Sequence, residues 1–118
     1  MLFVDSTHAV KLASDVNFAL LEVLPRLRPG VWVHVHDVFL PWEYPREFMD
    51  RYGLYWTEQY LLQAHLAGNL GTRVVCGVNA LLQERAAAMA AMAPGWTAGA
   101  GGSFWMRRAA EARDRRPS

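Results

Sequence analysis

The sequence predicts an α/β fold with a mostly parallel sheet, and two short apolar runs joined by one amphipathic segment support that prediction. Residues 2–5 and 31–36 are short, strongly apolar runs, which is typical of strands. The segment between them carries apolar residues at helical spacing: Val16, Leu20, Val23, Leu24 and Leu27. Because a strand, a helix and a second strand form a right-handed βαβ unit, the two strands are predicted to be adjacent and parallel.

Four residues mark the ends of this predicted crossover helix. Ser14 is a common N-cap residue, and the carboxylate of Asp15 suits the positive end of a helix. Pro25 lacks a backbone N–H, so it is expected to kink or weaken the last turn. Gly30 suits the left-handed backbone position that follows a helix.

Two helices are predicted in the middle of the chain. Residues 38–55 form a connection rich in aromatic residues and proline, in which Pro45 opens a short helix that runs to about residue 51. Thr57 is predicted to cap a longer helix that continues to about residue 67. The spacing of its apolar residues predicts that Tyr60, Leu61, Ala64 and in part Leu62 face inward.

The remaining residues predict two more strands and a third helix. Residues 73–78 and 103–108 have strand composition, and residues 81–92 are rich in alanine, which favours a helix. Residues 93–102 have the composition of a loop, and residues 109–118 are expected to form a disordered tail. Residues 1–108 therefore form the single predicted domain.

Composition excludes several classes of function. The 118 residues carry a formal net charge of +1, which gives no electrostatic reason to expect nucleic acid or an anionic membrane as a partner. The apolar runs are too short to cross a bilayer. Cys76 is the only cysteine, so no internal disulfide and no Cys-based zinc site can form. We expect a cytoplasmic protein.

Four side chains with acid–base or metal-binding chemistry follow the two parallel strands. Asp5 and His8 come after the first strand, and His36 and Asp37 end the second. Parallel strands end at one edge of a sheet, where open α/β sheets bind their ligands. Asp5 and Asp37 suit a divalent cation, and His8 suits a general base because imidazole titrates near neutrality.

Each of these residues also has a plainer interpretation. Asp5 can act only as a turn former, and the two-residue period of a strand places His34 and His36 on the face opposite Asp37. His34 is expected to be a packed core residue. The aromatic residues of the 38–55 connection suit either a pocket for a flat or apolar acceptor, or a lid or dimer contact.

Three stretches of the sequence resemble one known family. These are LFVDSTHAVKLASDVNFALLEVLPRLRPGVWVHVHDVFLPWEYPREF (2–48), WTEQYLLQAHL (56–66) and GGSFWMRR (101–108). They are similar to the carboxyl-terminal half of class I S-adenosylmethionine-dependent methyltransferases, in the branch described as methyltransferase family 24. The resemblance covers nearly all of residues 1–108 and implies a partial Rossmann-like methyltransferase fold with flanking helices.

The resemblance also implies positions for the strands and for the site. The four predicted strands match family strands 4, 5, 6 and 7, which lie side by side in the order 4-5-7-6 with strand 7 antiparallel. Magnesium-dependent relatives hold their metal at the positions of Asp5, His36 and Asp37, and their base falls on His8. Because His36 replaces a carboxylate, the site is expected to favour manganese, iron or zinc over magnesium.

The family resemblance implies O-methylation of a small-molecule or sugar-like acceptor with S-adenosylmethionine as cofactor. The glycine-rich turn and the acidic residue that hold the methionine and ribose parts of this cofactor have no counterpart in the sequence, so no cofactor-binding residue is assigned. The strand at residues 2–5 is then expected to have an uncovered edge, which predicts a homodimer or a separate amino-terminal half. The alternative function is a non-catalytic scaffold for oligomerisation or partner binding.

Overall fold

The structure is a computed structural model that describes residues 1–68, 71–95 and 101–110. Four strands form one open sheet: β1 (Leu2–Val4), β2 (Trp32–His36), β3 (Thr72–Gly77) and β4 (Ser103–Arg108). They lie in the order β1-β2-β4-β3. The four predicted strands are therefore confirmed, and their order is the one that the family resemblance implied.

The pairing of the strands corrects the prediction of a mostly parallel sheet. β1 and β2 are parallel, with Phe3 opposite His34, as the βαβ interpretation required. β4 is antiparallel both to β2 and to β3. Two of the three pairings are antiparallel because β4 returns between two strands that run in the same direction. The sheet is therefore mixed.

Three consecutive segments form the helix that connects β1 to β2: α1 (Asp15–Asn17), a π-helical segment (Phe18–Val23) and α2 (Leu24–Arg26). We call them together the crossover helix. The Ser14 hydroxyl accepts a hydrogen bond from the Asn17 N–H at 3.2 Å, which confirms the predicted N-cap. Since Pro25 has no N–H to donate to the preceding turn, the wider π register comes directly before it. Gly30 has the predicted left-handed backbone, with φ +85°, but it lies in a turn four residues after the helix ends at Arg26 and not at the position that directly follows the helix.

Four further helices complete the described structure. α3 (Arg46–Asp50) and α4 (Glu58–Gly68) follow the predicted positions, whereas the single helix predicted over residues 81–92 is two, α5 (Val78–Glu84) and α6 (Ala86–Met92). The helical conformation is interrupted between them at Arg85, which has φ −132° and ψ 34°. Residues 96–100 of the predicted loop and 111–118 of the predicted tail lie outside the described residues. None of the helices described here has the length and hydropathy to cross a membrane.

The hydrophobic core lies on one face of the sheet. Val33 and Val35 of β2 pack in one cluster with Phe104 and Met106 of β4. The helices add buried residues to that cluster: Val16, Leu20, Leu24 and Leu62. Since side chains alternate along a strand, the opposite face carries the remaining residues of these strands. Together with Phe3 of β1, they include Trp32, His34, His36 and Trp105.

Leu20 and Leu21 are neighbours on the crossover helix, and they allow a matched test of this packing. Leu20 is 1% exposed and Leu21 is 51% exposed. Leu20→Ala is expected to lower the free energy of unfolding by about 2–5 kcal/mol, because it removes buried apolar contacts and leaves a cavity. Leu21→Ala is expected to change it by less than about 1 kcal/mol. Urea unfolding followed by circular dichroism measures both, and equal losses would contradict the assigned core.

Candidate functional site

The structure brings together the four side chains that the sequence placed at the carboxyl edge of β1 and β2. The Nε2 atom of His8 lies 3.6 Å from Asp5 Oδ1 and 3.9 Å from Asp37 Oδ2. His36 Nε2 lies 3.6 Å from the other oxygen of Asp37. His8 is therefore the centre of the cluster, with one carboxylate from each strand end beside the same ring nitrogen.

Two left-handed backbone positions aim these side chains. His8 has φ +56° and Asp37 has φ +55°, which residues other than glycine seldom adopt. By the strand period alone, Asp37 and His36 would point to opposite faces of the sheet. The left-handed turn at Asp37 explains how a residue at the end of β2 still reaches His8. Such strained positions are enriched at functional sites.

A close contact with Gly102, the residue directly before β4, holds the backbone at Asp37. The N–H of Val38 donates to the carbonyl of Gly102 at 3.1 Å. A Cβ atom on Gly102 would lie 2.8 Å from the Cα of Asp37 and 2.9 Å from the ring of Phe39. Only glycine fits there without displacing the backbone of Asp37, so Gly102 supports the geometry of the site.

Glu58 is the main residue of the candidate site that the sequence did not reveal. It is fully buried, and its Oε2 atom lies 2.7 Å from the Nδ1 atom of His8. Its other oxygen accepts a hydrogen bond from the Ser6 hydroxyl at 2.9 Å, and that hydroxyl accepts one from the His8 N–H at 3.0 Å. These bonds form a closed ring of contacts that fixes the orientation of the imidazole.

Backbone contacts join the loop after β1 to the start of α4. The carbonyl of His8 accepts hydrogen bonds from the N–H groups of Thr57 and Glu58, at 2.8 and 3.2 Å. The N–H of Val10 donates to the Thr57 hydroxyl at 2.7 Å. Unpaired N–H groups at a helix start need such acceptors, so the same contacts that cap α4 place Glu58 beside His8.

Trp56 covers one side of the His8 imidazole. The centroids of the two rings are 4.1 Å apart, with an angle of 35° between the ring planes. His8 is 6% exposed overall, whereas the Asp5 side chain is 54% exposed. The imidazole is therefore shielded from water except toward the two carboxylates.

Opposing effects set the pKa of His8. Burial lowers the pKa, but the hydrogen bond and the negative charge of Glu58, followed by the charges of Asp37 and Asp5, outweigh it and raise the pKa above 6.5. With Glu58 accepting at Nδ1, the neutral imidazole carries its proton on Nδ1. The lone pair of Nε2 is then available to accept a proton from a bound molecule.

His34 is confirmed as a packed histidine. It is buried, and its ring lies 4.6 Å from that of Phe3 and 4.5 Å from that of Trp105. Among the described residues, neither of its ring nitrogens has a hydrogen-bond partner. Burial and the neighbouring charge of His36 lower the pKa of His34, so this ring stays neutral where His8 is protonated.

The predicted metal site remains a prediction. In residues 1–68, 71–95 and 101–110, no group of three or more His, Cys, Asp or Glu side chains is arranged to hold a metal ion. Asp5 and Asp37 both face His8 in this arrangement, and His36 contacts only Asp37 among them.

Comparison with known proteins gives no match: no family model fits the chain, and no curated protein or solved structure matches it. The resemblance to class I methyltransferases therefore rests on the sequence stretches quoted above and remains a prediction.

The pKa of His8 provides a direct test of the contact with Glu58. NMR titration is expected to show His8 titrating above 6.5 and His34 below it. Because the folded state raises the pKa of His8, its contribution to stability is complete below the unfolded value. That contribution is lost as the pH rises through the folded value.

Glu58→Gln is expected to lower the pKa of His8, because it removes the largest opposing charge while keeping a similar volume. Asp15→Asn is the matched control, since Asp15 bonds to Thr7 in the same loop and does not contact His8. If the two substitutions change the titration of His8 equally, the contact with Glu58 does not set its pKa.

Proposed function

We propose that this chain is the acceptor-activating part of an S-adenosylmethionine-dependent O-methyltransferase that acts on a small-molecule or sugar-like acceptor. The contact that carries the proposal is the one between the buried carboxylate of Glu58 and the imidazole of His8, 2.7 Å apart. The pair lies where an α/β sheet keeps its chemistry, and at the position of the base in the family that the sequence resembles. The finer description of the fold, a partial Rossmann-like methyltransferase sheet, belongs to the same proposal.

In this proposal His8 is the general base. Its Nε2 atom accepts the proton of the acceptor hydroxyl, which leaves a nucleophilic oxygen. Glu58 holds the proton on Nδ1 and stabilises the imidazolium that forms, so the base keeps one orientation during the transfer. Asp5 and Asp37 lie beside Nε2, so their negative charges also stabilise the imidazolium that forms.

The described residues fit the acceptor side of this reaction and not the cofactor pocket. In the described part of the chain, no strand leads through a glycine-rich turn into a helix, which is the feature that holds the methionine part of S-adenosylmethionine in the family. We therefore assign no step to the cofactor and no residue of this chain to its binding.

A divalent metal ion is a second proposed component. Asp5, His36 and Asp37 would hold it, and the nitrogen of His36 suits manganese or zinc better than magnesium. Such an ion would polarise the acceptor hydroxyl and make its proton easier to remove.

The exposed edge of the sheet supports a second candidate, a partner-binding or oligomerisation scaffold. β1 is an edge strand of the sheet and pairs only with β2 among the described strands. Phe3 is 55% exposed on one side of it. A groove of about 260 Å³ lies between β1 and the crossover helix, lined by Phe3, Phe18 and Val23 among others. An unpaired edge with apolar borders favours a second copy of this chain or an amino-terminal half.

The proposed catalytic role can be tested in a chimera. The amino-terminal half of a class I methyltransferase of the same branch is joined ahead of the full chain, and transfer of a labelled methyl group from S-adenosylmethionine to a panel of alcohols and phenols is measured. His8→Gln is expected to reduce the rate by about 100-fold or more, because a general base contributes 10²–10⁴-fold. His65→Gln, on α4 and away from the cluster, is the control.

No transfer by the chimera, or equal rates for the His8 and His65 variants, would favour the scaffold over the enzyme. Calorimetry of the chain alone adds a second check, since tight stoichiometric binding of S-adenosylmethionine would contradict the assignment of the cofactor pocket to residues outside this chain.

Self-association is expected at the edge of β1. Light scattering after size-exclusion chromatography should report a homodimer at micromolar concentration, and Phe3→Lys should convert it to a monomer by placing a charge in the contact. Met92→Lys is the matched control, because Met92 is a similarly exposed apolar residue on α6, far along the chain from β1. A strictly monomeric parent chain at high micromolar concentration would rule out this interface.

A further inference from the structure

A cavity of about 350 Å³ lies beside the His8 site, between the connection after β2 and the start of α4. Its volume is within the usual range for small-molecule pockets. Four aromatic and two aliphatic side chains form most of its wall: Tyr44, Tyr55, Trp56, Tyr60, Met49 and Leu54.

Trp56 both lines this cavity and packs against His8. Its indole lines the cavity and also lies 4.1 Å from the imidazole of His8. Thr57, the next residue, lines the cavity as well and donates its N–H to the carbonyl of His8. A molecule in the cavity would therefore be separated from His8 by Trp56 and Thr57.

Tyr44 holds the aromatic wall in place. It is buried and packs edge-to-face with Trp56, at 78° and 6.0 Å, and with Tyr60, at 88° and 5.9 Å. Its hydroxyl accepts the N–H of Gln59 at 3.0 Å, and burial raises the pKa of Tyr44 to about 12, so this wall stays uncharged. Fixed rings of this kind favour a flat ligand that can stack or pack edge-on.

The charges at the cavity balance each other. Glu43 and Arg46 both line it, and Glu43 accepts a hydrogen bond from the Tyr60 hydroxyl at 2.6 Å. With one charge of each sign, the cavity has no net preference for an ion, which suits a neutral ligand that presents a hydroxyl.

We infer that this cavity binds a neutral, planar aromatic alcohol as a ligand distinct from the acceptor at His8, since none of His8, Asp5 and Asp37 lines it. The inference does not depend on the proposed function, and the cavity can be tested by binding alone. The ligand is expected to carry a π-system, because aromatic walls give a saturated ring no stacking energy.

The probe is 2-naphthol, and decahydro-2-naphthol, which has the same carbon skeleton without the planar rings, is its matched control. Binding to the full chain is followed by NMR through the indole N–H of Trp56. We expect saturable binding of 2-naphthol and at least several-fold weaker binding of the saturated analogue.

Tyr60→Ala and Tyr55→Ala are each expected to weaken binding of 2-naphthol by about two- to ten-fold, the effect of losing one aromatic contact. Tyr55 is 74% exposed, so its substitution leaves folding intact even where that of Tyr60 does not. Tyr52→Ala is the control, because Tyr52 lies in the same connection, is 54% exposed and does not line the cavity.

Three results would overturn the inference: no saturable binding of 2-naphthol, equal binding of the saturated analogue, or equal effects of the Tyr52 and Tyr55 variants. None of them bears on His8 as a base, which the chimera tests through methyl transfer. Loss of transfer in the His8 variant with no binding at this cavity would support the proposed function and overturn only the inferred ligand site.

Discussion

The contact between Glu58 and His8 is the interaction on which the arrangement of the site depends. A fully buried carboxylate is costly unless a counter-charge and hydrogen bonds replace its water. His8 supplies one hydrogen bond, and a counter-charge when it is protonated, and Ser6 supplies the second hydrogen bond. Because the two partners are 50 residues apart, this contact joins the loop after β1 to the start of α4, together with the hydrogen bonds of the His8 carbonyl and the Val10 N–H.

Local strain around the site is offset by that contact and by close packing. His8 and Asp37 have left-handed backbone conformations, which residues other than glycine seldom adopt. Each is fixed by neighbours from a distant part of the chain. The carbonyl of His8 caps α4, and Gly102 packs against the backbone of Asp37. The same contacts that stabilise the fold therefore aim an imidazole and a carboxylate at a common point.

Patterns that depend on hydropathy and turn chemistry were predictable from the sequence. These include the four strands, the Ser14 cap, the turn at Gly30 and the convergence of Asp5, His8 and Asp37. The inward face of α4 was predicted only in part: Leu62 is buried and Leu61 packs against the core, whereas Tyr60 and Ala64 are exposed. Glu58 and Gln59, which were not predicted to face inward, are buried. A glutamate in the first turn of a helix is usually exposed, where its charge interacts favourably with the helix dipole. The burial of Glu58 is explained only by its contact with His8, 50 residues away in the sequence. The position of β4 between β2 and β3 also depends on contacts between distant parts of the chain, and only the family resemblance predicted it.

The edge of the sheet and the proposed chemistry are physically linked through Asp5. This residue directly follows β1, and its carboxylate lies 3.6 Å from the Nε2 atom of His8 while its side chain is 54% exposed. Water around an exposed carboxylate weakens its attraction for a protonated imidazole. A strand paired against β1 would displace part of that water and strengthen the attraction, which would raise the pKa of His8 further. Pairing at β1 and the pKa of His8 are therefore expected to be linked.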